Sequence, residues 1–228
     1  MRLQLVIGNK NYSSWSMRPW VLMRQLDIPF EEIKLRFDFA DGSPFRQAVA
    51  GYSPAGAVPV LVMDGHAVWD SLAIIEALHE AFPRHGVWPA DPLLRARARS
   101  LCAEMHAGFS ALRSLCPMNI EASLPEVGAR LWSEHPALRR DVARIEQMWA
   151  DALHTSGGPM LFGAFSAVDA YYAPVCMRVK TFALPVSDTT RAYVERVIAA
   201  PCVQRWIEDA LAEADYFDFD EPYRSSRG

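Results

Sequence analysis

No Cys-x-x-Cys pair, no histidine group at metal-ligand spacing and no long apolar run occurs in these 228 residues. The first absence argues against a dithiol redox centre, and the second against a zinc site. A membrane helix needs roughly 18 uninterrupted apolar residues, and no segment approaches that length. Basic excess is missing too. The net charge is -4, from 23 Lys and Arg against 27 Asp and Glu, so no overall field exists to hold nucleic acid or an anionic membrane. Arg95, Arg97 and Arg99 alternate with apolar residues in a helical pattern and read as a solvated helix face. The N-terminal apolar stretch is too short for a signal peptide, and a cytoplasmic protein is expected. There are no internal repeats and no low-complexity segments.

What is present falls into two halves of different rhythm. Over the first eighty residues, strand patterns at 3–7, 30–35, 58–63 and around 67–68 alternate with helical patterns that include 20–26 and 71–82. This order predicts a small α/β domain over residues 1–82. Three prolines and a glycine in 83–92 read as a linker. From 93 onward strand signals vanish, which predicts an all-helical domain over 93–228. Its first helix is expected to run unbroken over 93–115, with others near 126–134, 136–154, 166–182, 188–199 and 201–214. The acidic, aromatic tail from Asp215 is expected to pack loosely on the surface. The four cysteines, Cys102, Cys116, Cys176 and Cys202, lie in or beside helical patterns as small apolar groups.

Three segments of the first half carry chemistry. Asn-Tyr-Ser-Ser-Trp-Ser-Met-Arg-Pro-Trp at 11–20 brings hydroxyls to the start of a helix, where free N–H groups and the helix dipole favour an anion such as a thiolate. The same serines read equally well as helix caps. At 53–61, Val58-Pro59 opens a strand. Proline cannot donate to a sheet, so either a cis bond turns the Val58 backbone toward a peptide ligand or the strand is an edge. Asp70-Ser71 precedes a helix; it is either a cap or a pair that holds an ammonium and a carboxylate.

In this order and spacing the segments resemble the N-terminal domain of the glutathione transferase superfamily, and the helical second half extends the likeness over nearly the whole chain. The resemblance implies a thioredoxin-like fold that binds glutathione as co-substrate. The thiol would sit at Ser13, Ser14 and Arg18, the cysteinyl backbone at Val58 and Pro59, and the γ-glutamyl end at Asp70 and Ser71. Ser-Ser-x-Ser-x-Arg resembles the Ser-Ser-Cys-x-x-Arg motif of the zeta, maleylacetoacetate isomerase-like class, with Ser13 at its thiol-activating serine. Trp15 replaces the cysteine, which removes the thiol that omega-type exchange would use. Ala57 replaces a polar residue of many relatives, for which Arg18 or Arg46 would compensate. Ser166-x-x-Asp169 resembles the family's folding motif, a capping box with a structural role.

The implied reaction is attack by an activated thiolate on a small electrophile, a detoxifying conjugation. Trp15, Met105, His106 and Phe109 are candidate walls for the second substrate, each also readable as ordinary core. Two alternatives remain: cis-trans isomerisation of the maleylacetoacetate type, which would need cations to hold carboxylates, and a non-catalytic binding module. A homodimer through the helix after Ser71 and the helix from Leu93 is implied by the family.

Overall fold

The computed structural model describes residues 1–227. Four strands form one mixed sheet in the order β2-β1-β3-β4: β1 Leu3–Ile7, β2 Glu31–Lys34, β3 Val60–Met63 and β4 His66–Trp69. β1 and β2 are parallel, which requires a crossover, and α1 (Ser14–Gln25) supplies it. β3 and β4 are antiparallel, joined by Asp64-Gly65. Both turn residues have positive φ, the mirror-image turn that suits the twist of a hairpin. β1 is buried on both faces from Leu5 to Ile7, as a strand covered on two sides must be. α3 (Ser71–Ala81) packs beside α1 on the sheet.

α2 (Pro44–Tyr52) is a helix beyond those expected from the sequence. Its signals are local: Ser43 caps the Arg46 N–H at 3.3 Å, and Pro44 takes the first helical position, where no N–H is needed. Phe45 and Val49 of this helix form a small separate core with Tyr12 and Phe37.

Residues 82–91 contain no helix or strand. Val87 and Trp88 are nevertheless buried, and the Val87 carbonyl accepts from the Ala167 N–H at 2.9 Å. Beyond them the described chain is helical: α4 Pro92–Ala107, α5 Ser110–Leu115, α6 Pro125–Glu134, α7 Pro136–Ser156, α8 Ala167–Thr181, α9 Asp188–Ala199, α10 Pro201–Glu213 and a 3₁₀ turn at Asp218–Asp220. The single helix expected over 93–115 is broken. Gly108 leaves the helix and Phe109 adopts φ +56°, so α5 sets off in a new direction. Apolar spacing continues across such a break, which is why periodicity alone misses it. The architecture is a thioredoxin-like α/β unit followed by a helical one.

The two halves share one core. α1 lies between the sheet and helices α8 and α10. Trp20 of α1 meets Trp206 of α10 edge to face, with centroids 5.2 Å apart and both rings buried. The tail departs from expectation in part: it is anchored at Phe217 and Glu221, while Phe219 stays 72% exposed. Phe217 sits 5.8 Å from Phe37 and 5.1 Å from Phe39, and Glu221 is buried among Tyr12, Asn119 and Arg224. Phe217 is partly buried because it meets the aromatic cluster that α2 helps to form.

Candidate functional site

α1 begins without a side-chain cap. Among the described residues the N–H groups of Trp15 and Ser16 have no acceptor, so the helix end offers two donors and the positive end of its dipole. The hydroxyls beside it differ. Ser13 is buried, and its hydroxyl donates to Ser16 Oγ at 2.6 Å; that oxygen also accepts from the Gly8 N–H at 3.2 Å. Ser14 is half-buried, and its Oγ accepts from Arg178 Nη2 at 3.4 Å. Its own proton remains available for an acceptor in the cavity.

Arg178 lines the same cavity without belonging to any motif of the sequence. Buried in α8, it is fixed by Nε donating to the Cys116 carbonyl at 2.8 Å and Nη1 donating to the Pro174 carbonyl at 3.4 Å. Burial, with the nearby Arg18 and Arg113, pushes its guanidinium down to about 9, so it stays a cation at neutral pH. An arginine within the otherwise apolar run of α8 was the available signal, since a charge is placed there only when something repays its desolvation.

Arg18 occupies a different place from the one expected. Its guanidinium lies under the Trp15 ring at 3.8 Å and against Tyr171 at 4.5 Å, with Nε donating to the Tyr171 carbonyl at 3.0 Å. It lines neither of the two cavities here. Burial pushes it down to about 10. It supports Trp15 from beneath.

Two cavities share Trp15, Ala57 and Val58. The Val58-Pro59 bond is cis, and the Val58 main chain has no hydrogen-bond partner among the described residues. The smaller cavity, about 250 Å³, is lined by Pro59, Asp70, Ser71 and His106 as well. Asp70 holds φ +70°, a strained value for a non-glycine residue, while its carboxylate caps the Leu72 N–H at 2.9 Å. Ser71 Oγ and Tyr171 OH are 3.0 Å apart, His106 Nδ1 lies 2.8 Å from the same phenol, and His106 Nε2 lies 3.2 Å from Asp70 Oδ2. His106 therefore faces the Asp70-Ser71 end and does not line the larger cavity. Met105 is fully buried and Phe109 nearly so, and neither lines either cavity. Met105 and Phe109 are spent on the core, while His106 reaches the smaller cavity.

The larger cavity, about 430 Å³, joins Ser13 and Ser14 to Arg46, Arg113, Arg178 and Asp220, with aromatic walls from Phe37, Phe39, Phe45 and Phe219. Such a space accommodates an organic anion with an apolar body. All four cysteines are free and buried. Burial pushes Cys116 up to about 12, Cys202 up to about 11, and Cys102 and Cys176 well above the usual thiol range. The protein's own thiols are held inert. Asp169 accepts from the Leu161 and Ser166 N–H groups and from Tyr193 OH, a structural set at the start of α8.

A family model for the glutathione S-transferase N-terminal domain matches residues 12–81, which include Ser13-Ser14, Val58-Pro59 and Asp70-Ser71. A maleylacetoacetate isomerase of Pseudomonas aeruginosa is 30% identical over 153 residues, 65% of this chain and 70% of that protein. A probable maleylacetoacetate isomerase of Caenorhabditis elegans is 31% identical over 102 residues, a match that spans only 45% of each chain. Among solved structures, a Burkholderia glutathione transferase homolog with bound glutathione superposes with a TM-score of 0.71. It has 23% identity over 93% of this chain and 100% of the other, a likeness of fold.

Proposed function

The chain belongs to the glutathione S-transferase superfamily, with its closest motif likeness to the zeta type, and on that footing we propose that it is a glutathione-dependent enzyme acting on small electrophiles that carry a carboxylate. One observation carries the reading: Ser14, at the uncapped start of α1, shares a cavity with Arg46, Arg113 and Arg178. A thiolate and a substrate carboxylate both need positive potential, and this cavity supplies it to both.

Glutathione would lie across the two cavities. Its γ-glutamyl ammonium meets Asp70, its γ-glutamyl carboxylate meets the start of α3 at Ser71, and its cysteinyl main chain pairs with the free groups of Val58 beside Pro59. The sulfur then reaches the start of α1. A free thiol has a pKa of about 8.5, so most of it is protonated near neutrality. The free N–H groups, the Ser14 hydroxyl and the Arg178 charge favour the thiolate. Serine acts as a donor, because a hydroxyl is too weak a base to take the proton. Ser13 positions the turn through Ser16, and Arg18 holds Trp15 from below. Each unit by which the thiol pKa falls corresponds to about 1.4 kcal/mol, within reach of one charge-assisted hydrogen bond.

The arginines favour a second reading within the same chemistry, glutathione-dependent cis-trans isomerisation of an unsaturated keto acid such as maleylacetoacetate. There the thiolate adds to the alkene, the carbon–carbon bond rotates, and glutathione leaves unchanged. We place the glutathione-binding unit at 1–82, the linker at 83–92 and the helical unit at 93–228. We propose a cytoplasmic homodimer that meets through α3 and α4, near the exposed Trp69 and Leu93.

The test is calorimetry of glutathione binding with ultraviolet detection of bound thiolate, on wild type, Ser13→Ala and Ser14→Ala. Wild type should bind and show thiolate absorbance, and Ser14→Ala should bind but lose most of it. Failure of wild type to bind at millimolar glutathione would leave only a binding module of another kind. Consumption of glutathione with an electrophile distinguishes conjugation from isomerisation, in which glutathione is not consumed.

A further inference from the structure

One carboxylate lines the larger cavity, and none of the roles above uses it. Asp220 ends the 3₁₀ turn Asp218–Asp220, half-buried, and shares the cavity wall with Ser14 and Arg178. Its position is held from both sides. The next residue, Glu221, is buried and accepts from Tyr12 OH at 2.7 Å, from Asn119 Nδ2 at 2.9 Å and from Arg224. On the other side Phe219 packs on Phe39 at 5.1 Å. The tail thus carries Asp220 to the cavity on a fixed mount that grips the loop bearing the two serines.

We propose that Asp220 is a catalytic acid for the second substrate, giving a proton to the carbon beside the carbonyl once the thiolate of glutathione has added to a conjugated, carboxylate-bearing alkene. This inference rests on the glutathione reading above. In the step, a sulfur lone pair forms the new C–S bond at the β carbon. The alkene π pair moves onto the α carbon and its carbonyl as an enolate. The O–H bond of Asp220 then breaks, its hydrogen bonds to the α carbon, and the carboxylate regains a proton from water to balance the one released when the thiol ionised. The net change is addition of S–H across C=C, with nothing oxidised or reduced.

The other groups around the cavity are poor proton donors at neutral pH. Arg178 of α8 stands among the cations of the wall with Arg46 of α2 and Arg113 of α5, and even pushed down to about 9 it keeps its proton at neutral pH. Tyr12 is raised by burial, and its hydroxyl is already given to Glu221. Ser13 and Ser14 are weaker acids still, and no histidine lines this cavity. Burial and the Glu221 charge push the Asp220 carboxyl up to about 6, with Arg178 opposing them, so a share of it carries a proton near neutrality.

The experiment compares Asp220→Asn with wild type, using glutathione and two electrophiles. Ethacrynic acid is a carboxylate-bearing enone whose product takes up a proton at carbon. 1-Chloro-2,4-dinitrobenzene loses chloride and takes up none. The variant's kcat on the enone should fall at least tenfold relative to its kcat on the aryl chloride, with KM for the enone little changed. The wild-type advantage on the enone should narrow as pH rises above about 6. Equal losses on both electrophiles, or no loss on the enone, would overturn the assignment and leave the glutathione reading standing. Wild-type turnover of neither would overturn both.

Discussion

Arg178 Nη2 stands 3.4 Å from Ser14 Oγ, so a cation from the last turn of α8 reaches the first residue of α1 across 164 positions of sequence. The contact joins the helical half to the end of the α/β half proposed to bind the thiol. Replacing the guanidinium with a neutral group should raise the pKa of bound glutathione by about one unit, the 1.4 kcal/mol that such a shift represents. Arg178→Gln should therefore lose about tenfold in kcat/KM at pH 6.5 and recover much of it at pH 9, where the thiol ionises unaided. A pH series of thiolate absorbance with glutathione saturating measures this directly. An unshifted titration curve would remove Arg178 from thiol activation.

Asp70 has two tasks, and they can be separated. Its carboxylate caps the Leu72 N–H, a bond that an amide oxygen can also accept, and it is the proposed partner of the γ-glutamyl ammonium. Asp70→Asn should keep the cap and lose the ion pair. A hydrogen bond to a charged group contributes about 1.5–3 kcal/mol, so glutathione affinity should weaken by roughly ten- to a hundredfold while kcat at saturation holds. An analogue of glutathione lacking the amine should bind wild type and variant alike. If the variant discriminates the two ligands as wild type does, the ammonium lies elsewhere.

The parts of the site legible in the sequence are those built from neighbours in the chain. Ser13-Ser14, Val58-Pro59 and Asp70-Ser71 each sit at the junction of two elements, where residue type and backbone geometry are locally linked. Arg113, Arg178 and Asp220 come from α5, α8 and the tail, and only tertiary packing brings them to the same cavity. The misplacement of Met105 and Phe109 has the same origin. A helix pattern shows that one side is apolar, but not whether it faces a ligand or a neighbouring helix. Phe109 further marks the break into α5, where a left-handed residue turns the chain without disturbing the apolar spacing. The tail was misjudged because its charge suggested solvation, while Phe217, Tyr12 and Glu221 satisfy one another against the α2 cluster.

Asp169 should prove structural. Fully buried, it accepts from the Leu161 N–H at 3.1 Å, the Ser166 N–H at 2.9 Å and Tyr193 OH at 2.9 Å. Asp169→Ala strands three buried donors, each costing about 1–3 kcal/mol, so unfolding free energy should fall by at least about 3 kcal/mol. Asp169→Asn keeps acceptor oxygen and should cost less. Urea denaturation reads the difference. Protein that remains folded should bind glutathione as before, and a selective loss of turnover would contradict the structural role.

Glu221 makes the tail a pH-dependent latch, and the sign follows from its partners. Burial alone would raise its carboxyl, but hydrogen bonds from Arg224, Tyr12 and Asn119, together with the Arg224 charge, outweigh burial and hold it below the usual carboxylate range. A depressed carboxyl contributes stability above its unfolded pKa of about 4.3 and loses it as pH falls through the folded value. Exchange protection over residues 215–227, corrected for the intrinsic rate, should therefore not weaken from pH 8 to 5, where protonation of Asp220 near 6 adds stability, and should fall below about 4.3. Glu221→Gln should already exchange faster at pH 7, by roughly ten- to a hundredfold for the loss of about 1.5–3 kcal/mol. It should respond less to acid, the remaining response coming from Asp215, which Arg36 and Asn9 hold at the tail's start. Because Asp220 is carried by this latch, the same variant should lower turnover of a carboxylate-bearing enone more than it weakens glutathione binding. If exchange in the tail is independent of pH and of Glu221, the aromatic packing of Phe217 and Phe219 alone holds it.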